Sequence, residues 1–398
     1  MVLDVHKKEI VACVITSDGK EIKKFETMTE ELFKMSDWLL DQGCTHVAME
    51  STGVYWKPVY NLLEGTGMEI LVVNAQHIKT VPGRKTDVKD AEWIANLLRH
   101  GLVRGSFVPD KPQRELRELT RYRRSLICER SREVNRIQKV LEGANIKLGS
   151  VASDILGKSG IAILERLVEG VEDTTLLSDL AKGQLKKKKL ELEKALKGLI
   201  GDHQRFILGE QLEHIKELDR RIERLDREVD ERLRPFQKQL QLLDQITGIN
   251  KRTAEDIIVE IGTDMSRFPS EKHLSSWAGI CPGNNESAGK RKSGRSRSGN
   301  KWLRVSLVLA AHAAALSKGT YLSAQYRRIA SRRGAKRAAV AVAHTILVSI
   351  YHMLKTGKEY KDMGADFFDK QSEESLIRRT TKRLESLGYD VSIEKKVA

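Results

Sequence analysis

The stretch Val2-Leu3-Asp4-Val5-His6-Lys7 decides how the fold begins, because a short apolar run carries one acid where a strand is ending. Two further stretches place acids in the same way, Ala48-Met49-Glu50-Ser51-Thr52-Gly53 and Lys85-Thr86-Asp87-Val88-Lys89-Asp90-Ala91. Together the three segments supply four acids, Asp4, Glu50, Asp87 and Asp90. A fold that brings these segments together would build a divalent metal site.

The first hundred residues alternate between strand and helix periodicities in the order β-β-β-α-β-α-β-α. The predicted strands are 2–6, 9–16, 21–27, 45–49 and 69–74, and the predicted helices are 29–43, 55–63 and 87–100. This order resembles that of the RNase H-like fold, in which the first and fourth strands lie side by side. The resemblance implies that Asp4 and Glu50 are neighbours. Asp87 and Asp90 are three residues apart, so they share one face of the last predicted helix.

Four converging carboxylates would repel one another without a cation between them. Two unit charges about 4 Å apart cost roughly 4 kcal/mol at an effective dielectric constant near 20. Mg²⁺ or Mn²⁺ removes that cost, since hard cations take oxygen ligands. Any one of these acids taken alone is better explained as a solvated surface charge or a helix cap, and only the set favours a metal site.

The composition predicts a soluble cytoplasmic protein with a polyanionic partner. The 398 residues carry 70 Lys and Arg against 55 Asp and Glu, a net charge of +15. Such an excess attracts phosphate backbones. The four cysteines form no CxxC pair, which argues against a zinc ribbon or a disulfide scaffold. No apolar run approaches the roughly 20 residues of a membrane span, so no membrane partner is expected.

The middle of the chain is predicted to be helical and charged. Residues 109–148 are rich in arginine, and Arg121 and Arg124 are candidate contacts for a nucleic-acid backbone. Further on, apolar residues alternate spacings of three and four, as in a coiled-coil seam. The seam residues are Ile215, Leu218, Ile222, Leu225 and Val229. We expect a protruding helical hairpin or a dimerising arm that serves assembly.

The C-terminal third contains a helix-hairpin-helix-like element over 242–261 and a Gly/Ser-rich segment over 277–302. A packed helix pair would produce the first pattern equally well. The second pattern predicts a phosphate-binding loop or a flexible linker. Its candidate phosphate-binding cations are Lys290, Arg291, Lys292, Arg295, Arg297 and Lys301. Residues 335–354 are predicted to form a core helix.

The fold class predicted is therefore α/β plus α, with an N-terminal RNase H-like (RuvC-like) domain, a central helical coiled-coil arm and a mainly helical C-terminal domain. The predicted domains are 1–108, 109–235 and 236–362, followed by a mixed-charge tail over 363–398.

Nearly the whole chain resembles the DEDD-type insertion-sequence transposases, the insertion sequence 110 family with its 1111 subgroup, also called bridge-RNA-guided recombinases. The three N-terminal acidic stretches resemble the RuvC-like domain of that family. Trp277-Ala278-Gly279-Ile280-Cys281-Pro282-Gly283 and Glu286-Ser287-Ala288-Gly289-Lys290 resemble its transposase domain.

The resemblance implies a metal-binding catalytic set of Asp4, Glu50, Asp87 and Asp90, together with Ser287 as a catalytic serine. It also implies donor and target DNA, a non-coding guide RNA and a homo-oligomer, either a dimer or a tetramer. The residues alone do not choose Ser287 over its neighbours Ser293, Ser296 and Ser298.

Three functions follow as hypotheses. In the first, Ser287 attacks a DNA phosphodiester with the help of Mg²⁺ or Mn²⁺. In the second, a RuvC-like nuclease keeps the metal site and uses activated water, which leaves free DNA ends. In the third, a non-catalytic architectural protein binds nucleic acid through its charge, and the acids have no role.

Overall fold

A computed structural model describes the chain except for residues 17–18, 52, 74–97, 99, 101–104, 283–284, 288–289, 294–295, 297, 372 and 394–398. The chain divides into two compact units, Met1–Asp110 and Lys111–Ala398.

The first unit is built on a mixed five-stranded sheet. Its elements are β1 (Val2–Val5), β2 (Glu9–Thr16), β3 (Gly19–Glu26), α1 (Thr29–Asp41), β4 (His46–Glu50), α2 (Trp56–Leu63) and β5 (Glu69–Val73). The strand order is β3-β2-β1-β4-β5, antiparallel among the first three strands and parallel from β1 to β5. The predicted element order is confirmed through β5, and β1 lies beside β4 as expected. The predicted helix 87–100 lies outside the described residues apart from Leu98 and His100.

The two faces of this sheet bury different residues because side chains alternate along each strand. Leu3, Met49 and Val72 lie on the face covered by α1 and α2. Val2, Ala48, Cys13 and Val73 form the opposite face, and Leu98 packs against them. The sheet is therefore apolar on both sides, which suits its parallel half.

The second unit is almost entirely helical. Its elements are α3 (Lys111–Gly143), α4 (Leu148–Val151), α5 (Lys158–Val168), α6 (Thr174–Asp179), α7 (Lys189–Leu196), α8 (Asp202–Arg232), α9 (Gln237–Asp244), α10 (Lys251–Ile261), α11 (Glu271–Trp277), β6 (Asn285–Ser287), β7 (Lys290–Ser293), α12 (Lys301–Leu316), α13 (Tyr321–Arg333), α14 (Ala335–Thr356), α15 (Phe367–Gln371) and α16 (Glu373–Glu385). The mixed sheet followed by helices is compatible with the predicted fold class.

The seam predicted on α8 is buried against α3 of the same chain. Leu126 of α3 packs with Leu218 and Ile222 of α8. Ion pairs join Arg130 to Asp219 and Arg123 to Asp226 in reverse sequence order, so the two helices are antiparallel. The seam is thus used within one chain, and the predicted dimerising arm is not confirmed.

Helix α14 corrects one expectation from composition. Among the described residues it is the one helix long and apolar enough to cross a membrane by length and composition, so the prediction that no run approaches that length is wrong. Half of its apolar window is buried inside the unit, with Ala338, Val342, Ile346 and Ile350 in the core. The alanines among its aliphatic residues allow close packing against neighbouring helices. The prediction of a core helix is confirmed.

Candidate functional site

Asp4 and Glu50 stand side by side at the carboxyl ends of two parallel strands. The register of β1 on β4 pairs Val2 with Ala48 and Leu3 with Met49, so the next residues on the two strands are Asp4 and Glu50. Neighbouring strands lie about 4.8 Å apart. Both acids alternate onto the face of Val2 and Ala48, and both are half-buried. Two carboxylates from distant parts of the sequence therefore occupy adjacent positions.

A histidine lies beside the first of these acids. The Asp4 side chain is 23% exposed, and its Oδ2 lies 3.1 Å from Nε2 of His6. The hydrogen bond restrains the carboxylate while leaving it reachable from solvent. Ser51, directly after Glu50, donates its backbone N–H to the carbonyl of Val73, which fixes the carboxyl end of β4.

The described residues supply part of the predicted metal site. Asp4 and Glu50 offer hard oxygen donors, the ligand type that Mg²⁺ and Mn²⁺ prefer. Within the described ranges no group of three or more His, Cys, Asp or Glu side chains is arranged to hold an ion. The other two predicted ligands, Asp87 and Asp90, lie outside the described residues.

Leu98 lies on the same face of the sheet as Asp4 and Glu50. It packs against Val2, Ala48 and Val73, the same face onto which Asp4 and Glu50 alternate. Residue 98 follows Asp90 by eight positions in the sequence. The sheet face that carries Asp4 and Glu50 is therefore contacted by Leu98, which follows the third acidic stretch in the sequence.

The segment around Ser287 forms a β-hairpin where a loop or linker was predicted. Ser287 of β6 pairs with Lys290 of β7, and Asn285 pairs with Ser293. Only two residues, Ala288 and Gly289, separate the paired positions, a connection length typical of tight hairpins. Ser287 is thus the last residue of β6, whereas its rival Ser293 is the last residue of β7.

Three of the predicted phosphate-binding cations lie on β7, and two lie outside the described residues. Lys290, Arg291 and Lys292 occupy consecutive positions of β7, while Arg295 and Arg297 lie outside the described residues. Lys301 begins α12, and its Nζ lies 5.2 Å from the centroid of the Trp302 ring.

Close backbone contacts hold the base of the hairpin. A Cβ added to Gly299 would lie 2.4 Å from the backbone nitrogen of Gly279, so only glycine fits there. Arg304 donates to the carbonyl of Gly279 at 3.0 Å and to Oγ of Ser296 at 2.9 Å. The two ends of the hairpin segment are therefore tied to each other and to α12.

Glu260 on α10 connects this base to the basic helix α3. Its buried carboxylate accepts two hydrogen bonds from Arg121, both at 2.8 Å, and one from Nδ2 of Asn300 at 2.6 Å. Asn300 in turn caps α12 by accepting from the backbone N–H groups of Trp302 and Leu303. One buried carboxylate thus joins three elements beneath the hairpin.

Arg121 and Arg124 have partners inside the unit. Arg121 is bound by Glu260, and Arg124 donates to Oγ of Ser306 at 2.8 Å and lies 3.5 Å from Asp256. These carboxylates therefore offset the charge of the two cations within the unit. The sequence shows the arginines but not their partners, which lie more than 130 residues away.

Sequence reasoning also missed a buried ionic network around Arg123. Its guanidinium is 2% exposed and donates to Glu255 at 2.8 Å, to Asp226 at 3.0 Å and to Asp256 at 3.2 Å. Burial raises the pKa of the Glu255 and Asp256 carboxyls, and the Arg123 charge opposes that rise. A signal was available, because the adjacent acids Glu255 and Asp256, together with Glu260, interrupt the apolar Ala254–Ile261 stretch.

The turn of the predicted helix-hairpin-helix element is packed against α12. Gly248, between α9 and α10, has φ +91°, and a Cβ there would lie 2.4 Å from the carbonyl oxygen of Ala310. The glycine is therefore required by helix packing as well as by its backbone conformation. This geometry favours the packed helix pair over a turn that presents its N–H groups to phosphate.

Replacing Glu260 with Gln tests the anchor beneath the hairpin. We expect the free energy of unfolding of the helical unit to fall by about 3 kcal/mol, because Arg121 would lose its buried carboxylate partner. Urea titration followed by circular dichroism measures the change. Glu217→Gln is the matched control, since Glu217 also binds two arginines but on an exposed face, and it should shift the midpoint far less. Equal shifts in the two variants would contradict the anchoring role.

Comparison with known families gives two matches in this chain. A DEDD-type IS110 family model described as "Transposase" matches residues 2–146, and one described as "Transposase IS116/IS110/IS902 family" matches residues 240–327. The first match contains Asp4, Glu50, Asp87 and Asp90, and the second contains Ser287 and the hairpin.

Three curated relatives show the same likeness. The y4pF/y4sB protein of Sinorhizobium fredii, named as a transposase, is 26% identical over 329 residues, covering 80% of this chain and 74% of the relative. An insertion element IS116 protein of Streptomyces clavuligerus is 27% identical over 253 residues, 54% of this chain and 60% of the relative. The transposase for insertion sequence element IS1533 of Leptospira borgpetersenii is 28% identical over 153 residues, 37% of this chain and 44% of the relative.

Proposed function

As this chain belongs to the IS110 family of transposases, we propose that it is an enzyme that moves an insertion sequence by cutting and rejoining DNA. In this proposal Ser287 is the nucleophile, and the metal ligands are Asp4, Glu50, Asp87 and Asp90. The observation that supports this proposal most is the adjacency of Asp4 and Glu50 on β1 and β4. A protein that only bound nucleic acid would gain nothing from adjacent carboxylates, which repel its polyanionic ligand.

The donor set at the sheet suits a divalent cation. Asp4 and Glu50 provide carboxylate oxygens at adjacent positions, and the half-buried site limits competition from water. Asp87 and Asp90 are proposed to complete the ligand set. When bound, Mg²⁺ or Mn²⁺ would polarise the scissile phosphate and offset the charge that develops on its oxygens.

In the proposed reaction, Oγ of Ser287 forms a bond to the scissile phosphorus while the bond from phosphorus to one DNA oxygen breaks. The serine hydroxyl releases its proton to solvent, and the departing DNA oxygen takes up a proton to become a free hydroxyl. The phosphoester count is unchanged, so a hydroxyl of another DNA strand can reverse the step and rejoin the DNA. Lys290, Arg291 and Lys292, which follow Ser287 on β7, would neutralise phosphate charge.

The family resemblance extends the proposal to the partners. We propose that donor and target DNA are selected by pairing with a structured non-coding RNA, and that the enzyme acts in the cytoplasm as a dimer or tetramer. Protein side chains would then read backbone and shape, while base pairing reads sequence.

Purification of the full chain from cells that carry its complete insertion sequence tests the guide RNA. We expect one discrete RNA encoded beside the gene to co-purify, because a strongly basic protein that pairs RNA with DNA must retain that RNA. Sequencing of the bound RNA, before and after a high-salt wash, measures it. A matched preparation with the flanking DNA deleted should lose the discrete species. Recovery of only bulk cellular RNA from both preparations would contradict the guided reaction.

Metal-dependent cutting of a plasmid that carries the gene with its flanking DNA tests the chemistry. The proposal predicts breaks whose ends are linked to protein, in the presence of Mg²⁺ and not after chelation. Breaks with free ends would favour a nuclease that uses activated water.

A further inference from the structure

The positive charge of this protein is concentrated in one continuous part of the sequence. Residues 287–358 contain sixteen Lys and Arg and no Asp or Glu, and the remainder of the chain therefore carries a net charge of −1. The serine hairpin accounts for only part of this excess. A second group of cations lies around Gly334, which joins α13 to α14.

Six exposed cations lie on α13 and α14, four of them within three residues of this junction. They are Arg327, Arg328, Arg332, Arg333, Lys336 and Arg337, here called the basic turn. None of the six forms an ion pair with a carboxylate in the part of the chain that the structure describes, in contrast to Arg121, Arg123 and Arg124 on α3. Their charge is therefore not neutralised within the unit.

The backbone places four of these cations at one end of a helix pair, while Arg327 and Arg328 lie in the middle of α13. Gly334 has φ +83°, which allows α14 to begin directly after α13 ends. Arg332 and Arg333 lie in the last turn of α13, and Lys336 and Arg337 lie in the first turn of α14. The 22-residue helix α14 also directs the positive end of its dipole toward this junction, where cations are unfavourable unless an anion binds.

The side chains around the basic turn suit a phosphate backbone better than unstacked bases. Proteins that bind single strands stack bases on free aromatic faces. The Phe368 ring already lies under the Arg328 guanidinium at 5.2 Å and stacks on Tyr321, the first residue of α13, at 5.1 Å. Arginines without acidic partners instead bind phosphate oxygens bidentately.

We propose that the basic turn is a docking surface for the phosphate backbone of duplex DNA, separate in sequence from the serine hairpin, which holds the DNA during recombination. This assignment rests on the proposed function for the choice of DNA as the polyanion. Its basis in the structure is a set of six exposed cations on α13 and α14, four of them beside the junction of the two helices, that form no ion pair with a described carboxylate.

The first test replaces Arg332, Arg333, Lys336 and Arg337 with Gln in the full chain. The matched control replaces Lys216, Arg220, Arg221 and Arg232 of α8 with Gln, which removes the same charge from exposed cations that already have glutamate partners. Affinity for a short DNA duplex of arbitrary sequence is measured by fluorescence anisotropy over a range of salt concentrations.

We expect the dissociation constant of the basic-turn variant to rise at least about tenfold near 0.15 M salt. The slope of log affinity against log salt should fall by up to about 3.6, because each of the four lost phosphate contacts removes about 0.9 from it. The control should change affinity no more than about threefold, since net charge acts on both variants equally. Equal losses in the two variants would overturn the proposal, as would a larger loss for single-stranded RNA than for duplex DNA.

A double variant separates binding from folding. Lys336→Gln with Arg337→Gln removes cations from a helix N-terminus, where they oppose the dipole, so its melting temperature should not fall. It should nevertheless bind duplex DNA several-fold more weakly. Affinity equal to that of the unmodified protein would overturn the proposal.

Protein-linked DNA is measured in the same preparations. This measurement distinguishes a failure of the proposed docking surface from a failure of the proposed serine chemistry. Unmodified protein that forms the link while the basic-turn variants bind DNA normally would refute the docking surface alone. Protein that needs the basic turn for DNA binding but never forms the link would refute the serine chemistry alone.

Discussion

Glu50→Gln should reduce DNA cleavage by about a thousandfold or more while leaving duplex DNA affinity nearly unchanged. Gln keeps the size of the side chain, but it removes the charge and replaces one acceptor oxygen with an NH₂ donor. A bound cation contributes several kcal/mol to transition-state stabilisation, and each 1.4 kcal/mol is about a factor of ten in rate. Asp4→Asn should behave in the same way, because the two residues hold equivalent positions on adjacent parallel strands.

Thermal unfolding supplies a readout that does not depend on activity. An ion that binds only the folded state stabilises it by about 2.7 kcal/mol when present at 100 times its dissociation constant. Mg²⁺ should therefore raise the melting temperature of the unmodified protein and have little effect on Glu50→Gln.

The control for this site lies on the same sheet. Glu9 begins β2, and its exposed side chain forms an ion pair with Lys24 of β3. Glu9→Gln should therefore keep both cleavage and the response to Mg²⁺. Loss of the Mg²⁺ response in the Glu9 variant, or its retention in the Glu50 and Asp4 variants, would remove Asp4 and Glu50 from the metal site.

Ser287→Ala should abolish the covalent protein–DNA link entirely and still allow DNA and Mg²⁺ to bind. The substitution removes only the hydroxyl group, and the methyl group of Ala cannot form a phosphoester. Denaturing gels of end-labelled DNA measure the link, and anisotropy measures binding.

Ser293→Ala is the matched control for the nucleophile. Ser293 lies in the same hairpin, paired with Asn285 at the end away from the turn. We expect this variant to form the link at nearly the unmodified rate. A link that survives in Ser287→Ala and disappears in Ser293→Ala would transfer the role to Ser293.

Local patterns predicted the first unit well because its elements are short and strongly periodic. Strand alternation and helix spacing fixed the order of elements through β5, and the resemblance to a known fold placed β1 beside β4. The acids Asp4 and Glu50 were visible because each interrupts an apolar strand at its end.

Long-range partners were beyond the reach of sequence patterns. Arg121 and Arg124 could be read only as free cations, since Glu260 and Asp256 lie on a helix more than 130 residues later. The seam of α8 gave no indication that its partner was α3 of the same chain. The hairpin at Ser287 was also missed, because its strands are short and polar and lack apolar alternation.

The most direct test of the whole account is to identify the amino acid that carries DNA after cleavage. The full protein is incubated with Mg²⁺ and plasmid DNA containing the gene and its flanks, then denatured and digested, and the peptide that retains DNA-derived phosphate is sequenced by mass spectrometry. The account predicts phosphate on Ser287, present only with Mg²⁺ and absent from Glu50→Gln. Cleaved DNA with free ends and no phosphorylated serine would contradict it.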